Sequence, residues 1–275
     1  MNKQMWGNPA TRRNVAQLAQ DGVTLLGPAS GEQACGEEGM GRMLEAEQLA
    51  QDIVAFLQPK LLSGVKVLLT AGPTYEAIDA VRGLTNRSSG KMGYALAQAA
   101  QELGANVTLI SGPTALNKPH GARVVDVTSA AEMFDAVKQH VADADIFISV
   151  AAVADYRPAQ TSAQKIKKSG GKLTLELTPN PDILAYVAEL PEPPFCVGFA
   201  AESEKLREHA AAKRKTKNIP LLAANLAQTA IGSDDNELLL FDDAGEHVLP
   251  CADKLTLARA LMRHVLKLYQ QGAKQ

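Results

Sequence analysis

Cysteine is scarce in this sequence of 275 residues. The three cysteines, Cys35, Cys196 and Cys251, are odd in number and far apart, which argues against a disulfide framework and fits a reducing cytosol. No apolar run reaches the roughly 18 residues that a membrane-spanning helix needs, and no signal peptide is recognisable. We therefore expect a cytoplasmic protein that has no membrane partner.

The sequence also lacks an excess of either charge. Its 28 Lys and Arg and 30 Asp and Glu residues give a net charge of −2, so we expect no general attraction to nucleic acid. The five histidines are scattered. No group of His, Cys, Asp and Glu has the sequence spacing of a zinc site, and no Ser-His-Asp order is visible. The spacing therefore indicates neither a zinc site nor a hydrolase triad.

The chain is organised around residues 85–93, which read TNRSSGKMG. This stretch follows an apolar run at residues 65–71 and opens a helical pattern in which apolar residues from Met92 to Ala100 share a face. The first N–H groups of a helix lack partners and carry the positive end of its dipole. A strand, a Ser/Gly loop and a helix in this order therefore predict a site for a phosphate or carboxylate.

Strand-like and helix-like runs alternate through most of the chain. The strand-like runs are residues 65–71, 106–111, 123–127, 145–151, 195–200 and 220–225, and the helical runs are 90–103, 129–142, 181–189 and 204–217. A hairpin at 237–241 and 247–249 and a helix at 252–269 follow. This order predicts an α/β, Rossmann-like three-layer fold with a mostly parallel sheet, and ligands at the carboxyl ends of its strands.

The first 60 residues have a different character. They predict a short helix near Val15, a strand at 23–26, a glycine-rich loop at 28–43 and a helix with apolar residues from Leu49 to Leu57. Such a segment is too short to build a stable core alone. The composition of this segment is equally consistent with part of a folded domain and with an interdomain linker followed by a helix.

Two nucleotide motifs fail at the central stretch. A Walker loop needs four residues between its glycines and a hydroxyl after the lysine, whereas six residues separate Gly83 from Gly90 and Met92 replaces the hydroxyl. A dinucleotide fold needs three spaced glycines and an acid after the second strand, but only Gly90 and Gly93 fit and residues 109–112 contain no acid. A third interpretation is that this loop binds an anionic substrate while a nucleotide binds basic residues elsewhere.

Two lysine clusters suit that third interpretation. Residues 165–168, KIKK, follow the predicted strand 145–151, and Lys213 and Lys217 lie on one face of a predicted helix. Each cluster alone is also explained as a solvated loop or as a cationic helix end that complements the dipole. Together, near the carboxyl ends of strands, they favour binding of a polyphosphate.

Seven motifs in order resemble phosphopantothenoylcysteine synthetase, the synthetase half of a bifunctional bacterial coenzyme A biosynthesis flavoprotein. They are residues 70–74, 79–82, 86–93, 151–156, 165–168, 180–183 and 198–202. The resemblance implies a synthetase domain over residues 61–275.

Residues 1–60 resemble the C-terminal end of the partner decarboxylase domain, together with a linker. Asn2 falls in what looks like its substrate-binding asparagine motif, and Cys35 in its cysteine flap, where the family uses cysteine as a proton donor. The resemblance implies that FMN binds only in a full-length decarboxylase domain. We therefore do not expect this chain to decarboxylate.

The resemblance implies that CTP activates 4'-phosphopantothenate as an acyl-cytidylate, that L-cysteine displaces CMP, and that Mg²⁺ bridges the triphosphate. It places Asn86 on the phosphopantothenate acyl group and Arg82 on its phosphate, with Asn86 and Lys165 as catalytic residues in a homodimer. The CTP site that it implies consists of Ser149, Val150, Ala151, Asp155, Lys165, Pro181, Asp182, Ile183, Leu184, Phe199, Lys213 and Lys217.

Two alternatives stay open at this point. A Rossmann-like NAD(P)-dependent dehydrogenase would need a Tyr-x-x-x-Lys pair, and neither Tyr94 nor Tyr156 has a lysine four residues later. A catalytically silent scaffold of the same fold would have no need of the lysine clusters. Both features favour the ligase.

Overall fold

The structure is a computed structural model that describes residues 1–34, 36–168, 170–202, 204–226 and 233–272. Its contacts divide the chain into two units, Met1–Gln58 and Pro59–Gln275. Within the described ranges, every helix is too short or too polar to cross a bilayer.

The first unit consists of three helices and a hairpin. Its elements are α1 (Lys3–Gly7), α2 (Pro9–Gln20), β1 (Ala29–Glu32), β2 (Glu38–Arg42) and α3 (Ala46–Leu57). The predicted helices near Val15 and from Leu49 are confirmed as parts of α2 and α3. The strand expected at 23–26 is wrong, because these apolar residues are exposed and pair with no other strand. The glycine-rich stretch forms the β1–β2 hairpin rather than only a loop.

The second unit is built on one large sheet with helices on its faces. Its elements in chain order are β3 (Lys66–Ala71), β4 (Tyr75–Ala77), β5 (Gly83–Thr85), α4 (Lys91–Glu102), β6 (Asn106–Ser111), β7 (Arg123–Asp126), α5 (Ala130–His140), a 3₁₀ turn (Val141–Asp143), β8 (Ile146–Ser149), β9 (Tyr156–Pro158), β10 (Leu177–Pro179), α6 (Ile183–Ala188), β11 (Phe195–Glu202), α7 (Leu206–Thr216), β12 (Leu221–Leu226), β13 (Asp235–Asp242), β14 (Gly245–Asp253) and α8 (Lys254–Gly272).

The sheet has eight strands in the order β14-β13-β12-β11-β8-β3-β6-β7. The strands from β12 to β7 in that order are parallel, and β13 and β14 add an antiparallel edge. The chain starts in the middle at β3, builds outward through β6 and β7, and then returns to β8 on the other side of β3. This order confirms the Rossmann-like prediction and puts the reversal of strand order between β3 and β8.

Apolar side chains cover both faces of the sheet. Because successive strand residues point to opposite faces, Leu68 packs in the core that contains α5 residues, and Leu69 packs in the core that contains residues of α4 and α8. The predicted cap of α5 is also present. Ser129 Oγ accepts the N–H of Glu132 at 3.2 Å, and the Glu132 carboxylate accepts the N–H of Thr128 at 2.7 Å.

Two short hairpins were not predicted. Strands β4 and β5 pair antiparallel in the connection after β3, and β9 and β10 pair antiparallel in the connection after β8. Each strand has only three residues, which is too few for a strand periodicity to be recognised in the sequence.

Candidate active site

A cleft of about 660 Å³ opens at the carboxyl ends of β8, β11 and β12, beside the start of α4. It is lined by residues 86–93, 149–155, 180–184 and 199–201, with Lys213, Lys217, Asn225, Asn236 and Lys254. Every site residue predicted in the second unit lines this cleft, except Arg82 and Lys165. The structure therefore brings together the central stretch, the strand ends and the two helix lysines.

The start of α4 forms one wall of the cleft. Gly90 has a φ of +78°, and a Cβ atom there would lie 2.7 Å from Thr114 Cγ2. Only glycine tolerates this backbone conformation in so little space. Gly90 offers no side chain to cap the helix. The positive end of the helix dipole therefore faces the cleft without a capping side chain and can accept an anion there.

Gly93 brings α4 close to the sheet. A Cβ atom at this position would lie 2.5 Å from Ala71 Cβ and 3.1 Å from Val150 Cγ1. The second glycine of the central stretch thus serves helix-to-strand packing. That packing places the first turn of α4 next to the end of β8.

Hydrogen bonds hold the loop after β8 in one conformation. Buried Thr74 accepts the N–H of Ala154 with its hydroxyl at 3.0 Å, and Asn180 donates its side-chain amide to Ala154 O at 2.8 Å. Asn86 donates Nδ2 to Ala152 O at 2.9 Å. The backbone of this wall is thus fixed before a ligand binds, and Asn86 is part of the support.

Lys217, the residue that caps the C-terminal end of α7, has a partner inside the cleft. Lys217 Nζ donates to the carboxylate of Asp182, which also caps α6 by accepting the N–H of Ala185 at 2.9 Å. Burial works to raise the pKa of Asp182, but the hydrogen bonds from Lys217 and Ala185 outweigh it and hold that pKa below its ordinary value. The Asp182 carboxylate beside Lys217 therefore stays ionised at neutral pH.

Arg82 and Lys165 lie outside the cleft lining, which differs from their predicted positions at the bound substrates. Arg82 forms two hydrogen bonds to the buried carboxylate of Asp79, with its Nε at 3.0 Å. The same carboxylate accepts the N–H of Ile166 at 3.0 Å, and Arg82 donates to Ile166 O at 2.9 Å. The Arg82 guanidinium beside Asp79 holds the pKa of that carboxyl well below its usual range. Asp79 and Arg82 therefore anchor residues 165–168, the lysine segment, at Ile166. Lys165 is exposed next to this anchored residue.

The cleft contains polar residues that sequence reasoning missed. Lys254 begins α8, is nearly buried, and donates its ammonium to Ser233 O. Burial and the nearby charge of Lys91 lower the pKa of Lys254. Lys91 itself pairs with Asp234 at 2.5 Å. Nothing in the local sequence distinguishes Lys254 from a surface lysine. Asn225, in contrast, is the last residue of a predicted strand. Ligands bind at the carboxyl ends of parallel strands, so its position could have identified it as a site residue.

The two predicted decarboxylase residues lie in the first unit. Asn2 caps α1, since its Oδ1 accepts the N–H of Met5 at 2.9 Å. A Cβ atom at Gly41 of β2 would lie 2.9 Å from Asn2 O, so the hairpin packs closely on the chain around Asn2. Cys35 lies outside the described residues.

Two family models match different parts of the chain. Residues 62–269 match the family described as DNA/pantothenate metabolism flavoprotein C-terminal domain, and residues 1–58 match the family described as Flavoprotein. The coenzyme A biosynthesis bifunctional protein CoaBC of Vibrio vulnificus strain CMCP6 is 48% identical over 274 residues, which cover 98% of this chain and 68% of that protein. The protein of the same name from Escherichia coli K12 is 45% identical over 279 residues, covering 98% of this chain and 69% of that protein.

Solved structures show the same fold. A crystal structure of the C-terminal domain of coenzyme A biosynthesis bifunctional protein CoaBC covers 77% of this chain and 99% of its own, at 38% identity and a TM-score of 0.67. A Cab2 mutant in complex with phosphopantothenate-cysteine covers 82% of this chain and 94% of its own, with a TM-score of 0.65. Its 17% identity supports a likeness of fold alone.

Proposed function

We propose, from the premise that the chain belongs to the family of bifunctional coenzyme A biosynthesis proteins CoaBC, that the cleft is its ligase active site. The chain acts in coenzyme A biosynthesis by joining phosphopantothenate to cysteine. What we propose beyond this is the route: CTP activates the carboxylate, an acyl-cytidylate forms, and the cysteine amine displaces CMP.

One observation carries the proposal. The cleft is lined by the start of α4, which has no side-chain cap, and by Lys213, Lys217 and Lys254. These groups surround the hydrogen-bonded backbone of the loop after β8. Its volume of about 660 Å³ lies in the range of small-molecule sites. Attack of a carboxylate on the α-phosphate brings two anions together, so the protein must provide positive charge and positioning. This cleft provides both.

We assign the base of CTP to the backbone near residues 149–151 and 181–184. Fixed N–H and C=O groups can pair with the edge of one base and are left unpaired by another. Each unpaired buried group costs about 1–3 kcal/mol, or about 5- to 150-fold in affinity. Phe199 is half-buried in β11 and offers an aromatic surface beside this backbone.

We assign the acyl group of phosphopantothenate to Asn86, which lies beside the start of α4. The backbone next to Lys165 is anchored at Ile166, while the Lys165 side chain is exposed. We propose that this side chain reaches the cleft when CTP binds. Arg82 is proposed to meet the phosphate of phosphopantothenate across a homodimer interface, because its side chain is 45% exposed and lies outside its own cleft lining.

Magnesium fits this site as an ion brought by the nucleotide. Among the described lining residues, the carboxylates are Asp155 and Asp182, and Asp182 is paired with Lys217. Two acids of which one is neutralised do not form an all-protein magnesium cage. Mg²⁺ would instead be held by the triphosphate and neutralise its charge, while Lys213 and Lys217 bind the remaining phosphate oxygens.

Residues 1–58 are assigned to the decarboxylase part, with the synthetase domain over residues 61–275. Among the described residues of the first unit, Leu44 is the one large apolar side chain that is buried. We therefore propose that FMN requires a longer decarboxylase domain than these residues form, and that they do not decarboxylate by themselves.

The experiment that tests the ligase is pyrophosphate release with phosphopantothenate and CTP, ATP, GTP or UTP in turn. We expect release with CTP to exceed release with the others by at least about 10-fold. Equal rates with ATP and CTP would contradict the proposed base recognition. A folded protein that releases no pyrophosphate with any nucleotide would contradict the ligase and support the silent scaffold.

A further inference from the structure

We propose that Asp242, His247 and His264 bind one Zn²⁺ ion that fastens the C-terminal helix to the terminal hairpin. Asp242 ends β13, His247 lies in β14 and His264 lies in α8. One possible ligand atom from each residue lies within 4.8 Å of the other two. None of the three residues lines the cleft, so this site does not depend on the proposed ligase chemistry.

The fold brings together residues that are far apart in sequence. His247 pairs with Leu240 across the hairpin, and Asp242 lies two residues beyond Leu240 on the same strand. Side chains two residues apart share a face, so Asp242 and His247 lie on the face that buries Leu240 against α8. His264 follows the buried Leu261 by three residues and thus lies on the matching face of α8.

The three side chains already point at one another. Asp242 Oδ2 lies 2.8 Å from His264 Nε2 and 3.0 Å from His247 Nε2. Asp242 Oδ1 accepts the N–H groups of Ala244 at 2.8 Å and Gly245 at 3.1 Å, which fixes the carboxylate with Oδ2 toward the imidazoles. Ligand atoms on a tetrahedral zinc ion lie about 3.3 Å apart. A small outward shift of the rings therefore makes room for the ion.

One buried nitrogen in this cluster makes no well-formed hydrogen bond. His247 Nε2 is fully enclosed and lies 3.0 Å from Asp242 Oδ2, yet it makes no hydrogen bond of acceptable geometry with the residues that the structure describes. A buried polar atom that makes no well-formed hydrogen bond is costly, and such atoms call for an explanation. A bond to zinc would satisfy this nitrogen. The side chain of Asp242 is 3% exposed and that of His264 15%, while that of His247 is 37% exposed, so an ion can enter beside His247.

The donor set selects the class of metal. Two imidazole nitrogens and one carboxylate suit Zn²⁺, whereas Mg²⁺ prefers oxygen ligands alone. Three protein ligands leave the fourth position for water. Zinc bound here joins β13, β14 and α8 in the folded state, and it therefore stabilises that state.

The test is zinc binding to the whole chain after treatment with a chelator. Calorimetric titration with zinc chloride is expected to give one ion per chain, and zinc is expected to raise the midpoint of thermal unfolding. An excess of Mg²⁺ should neither displace the zinc nor reproduce the shift. His247→Gln and His264→Gln should each weaken zinc binding by more than about 100-fold, because loss of a ligand costs more than loss of a supporting contact.

Two further variants serve as controls. His140→Gln changes a histidine at the end of α5, and Cys251→Ser removes an exposed thiol on β14. Both should bind zinc like the parent protein. His247→Gln changes the most exposed ligand, so its metal-free unfolding midpoint should stay close to that of the parent. Zinc binding that survives both histidine variants, or that is lost in Cys251→Ser, would overturn the proposal, as would a parent protein that binds no zinc.

Discussion

Lys213 of α7 and Lys217, which caps the end of that helix, differ in their partners. Lys217 is paired with Asp182, while Lys213 adds a second positive charge to the same wall. Lys213→Gln should raise the KM for CTP by about 10-fold and leave kcat nearly unchanged, because the lost contact to phosphate forms before the transition state. Lys217→Gln should raise KM further, since it also leaves the Asp182 carboxylate facing the triphosphate. Steady-state kinetics with CTP as the varied substrate measures both.

Two variants make this comparison specific. Lys215→Gln removes an exposed lysine of the same helix that does not line the cleft, and it should leave CTP kinetics unchanged. Asp182→Asn combined with Lys217→Gln should recover part of the lost affinity, because asparagine still caps α6 without carrying the charge. Unchanged CTP kinetics in both single lysine variants would mean that these lysines only complement the dipole at the C-terminal end of α7.

Asn86 and Lys165 are predicted to serve different half-reactions. Lys165→Gln should abolish pyrophosphate release, because its charge acts while the carboxylate attacks the α-phosphate. Loss of one such contact costs about 3–4 kcal/mol, or about 10²–10³ in rate. Asn86→Asp should let some acyl-cytidylate form and accumulate, since the new carboxylate repels the oxyanion that develops as the amine attacks. It also loses the Nδ2 donor to Ala152 O.

Mass spectrometry of quenched mixtures, with and without cysteine, distinguishes these outcomes. Lys167→Gln is a matched control, since Lys167 is exposed in the same segment and is not assigned to the site. Acyl-cytidylate in the Lys165 variant and none in the Asn86 variant would reverse the two assignments.

At this scale, the sequence revealed chemistry best where a motif is local. The central stretch, the strand ends, Lys213 and Lys217 could be predicted from short-range patterns, and the other predicted residues of the cleft from the family resemblance. Contacts that only the fold creates could not be predicted, even where both residues were expected in one site, as Asp182 and Lys217 were. Asp182 lies 35 residues before Lys217, and Asp242 lies 22 residues before His264. Neither distance corresponds to a helix, strand or metal-ligand spacing.

Among the elements, the β4–β5 turn and the lysine segment share one anchor. Asp79 accepts N–H groups from Val81, Arg82 and Ile166 and binds the Arg82 side chain. Its pKa is lowered first by the Arg82 hydrogen bond, so folding favours the ionised carboxylate. A lowered folded-state pKa gives stability that is complete above the ordinary pKa of about 3.9 and is lost as the pH falls below it.

The stability difference between the parent and Asp79→Asn should therefore depend on pH. Denaturant unfolding should show the parent more stable from about pH 6 down to about pH 4, with the difference shrinking at lower pH. Asp79→Asn should also be cleaved faster by trypsin within residues 165–168 at neutral pH. Asp143→Asn, which changes a carboxylate that is 86% exposed, should show neither effect. A difference that does not vary with pH would mean that the Asp79 charge is not what holds the anchor.

The longer helices and strands could be predicted from the sequence, and the shortest strands could not. The buried strands of the sheet read as apolar runs, and the helices between them show periodicity, so their positions could be predicted within a few residues. The apolar run at 23–26 predicted a strand that does not exist, since a strand needs a neighbour and no described residue pairs with it. The three-residue strands of the two small hairpins are too short to show a strand periodicity in the sequence.

On the scale of the whole molecule, the two units have unequal cores. Both large apolar cores consist of residues of the second unit. Many of the exposed large apolar side chains lie in the first unit, including Leu25, Leu26, Ile53, Phe56 and Leu57. The second unit thus has the packing of an independent domain, and the first unit does not.

This inequality predicts that the ligase resides in the second unit alone. Every described residue that lines the cleft lies between Pro59 and Gln275, and so do the Asp79 anchor and the support from Thr74 and Asn180. A shortened chain that begins at Pro59 should fold and retain the kcat and the KM for CTP of the whole chain. Circular dichroism establishes folding, and pyrophosphate release establishes activity. A shortened chain that folds but releases no pyrophosphate would show that residues 1–58 contribute to catalysis, because the cleft would then be intact and yet insufficient.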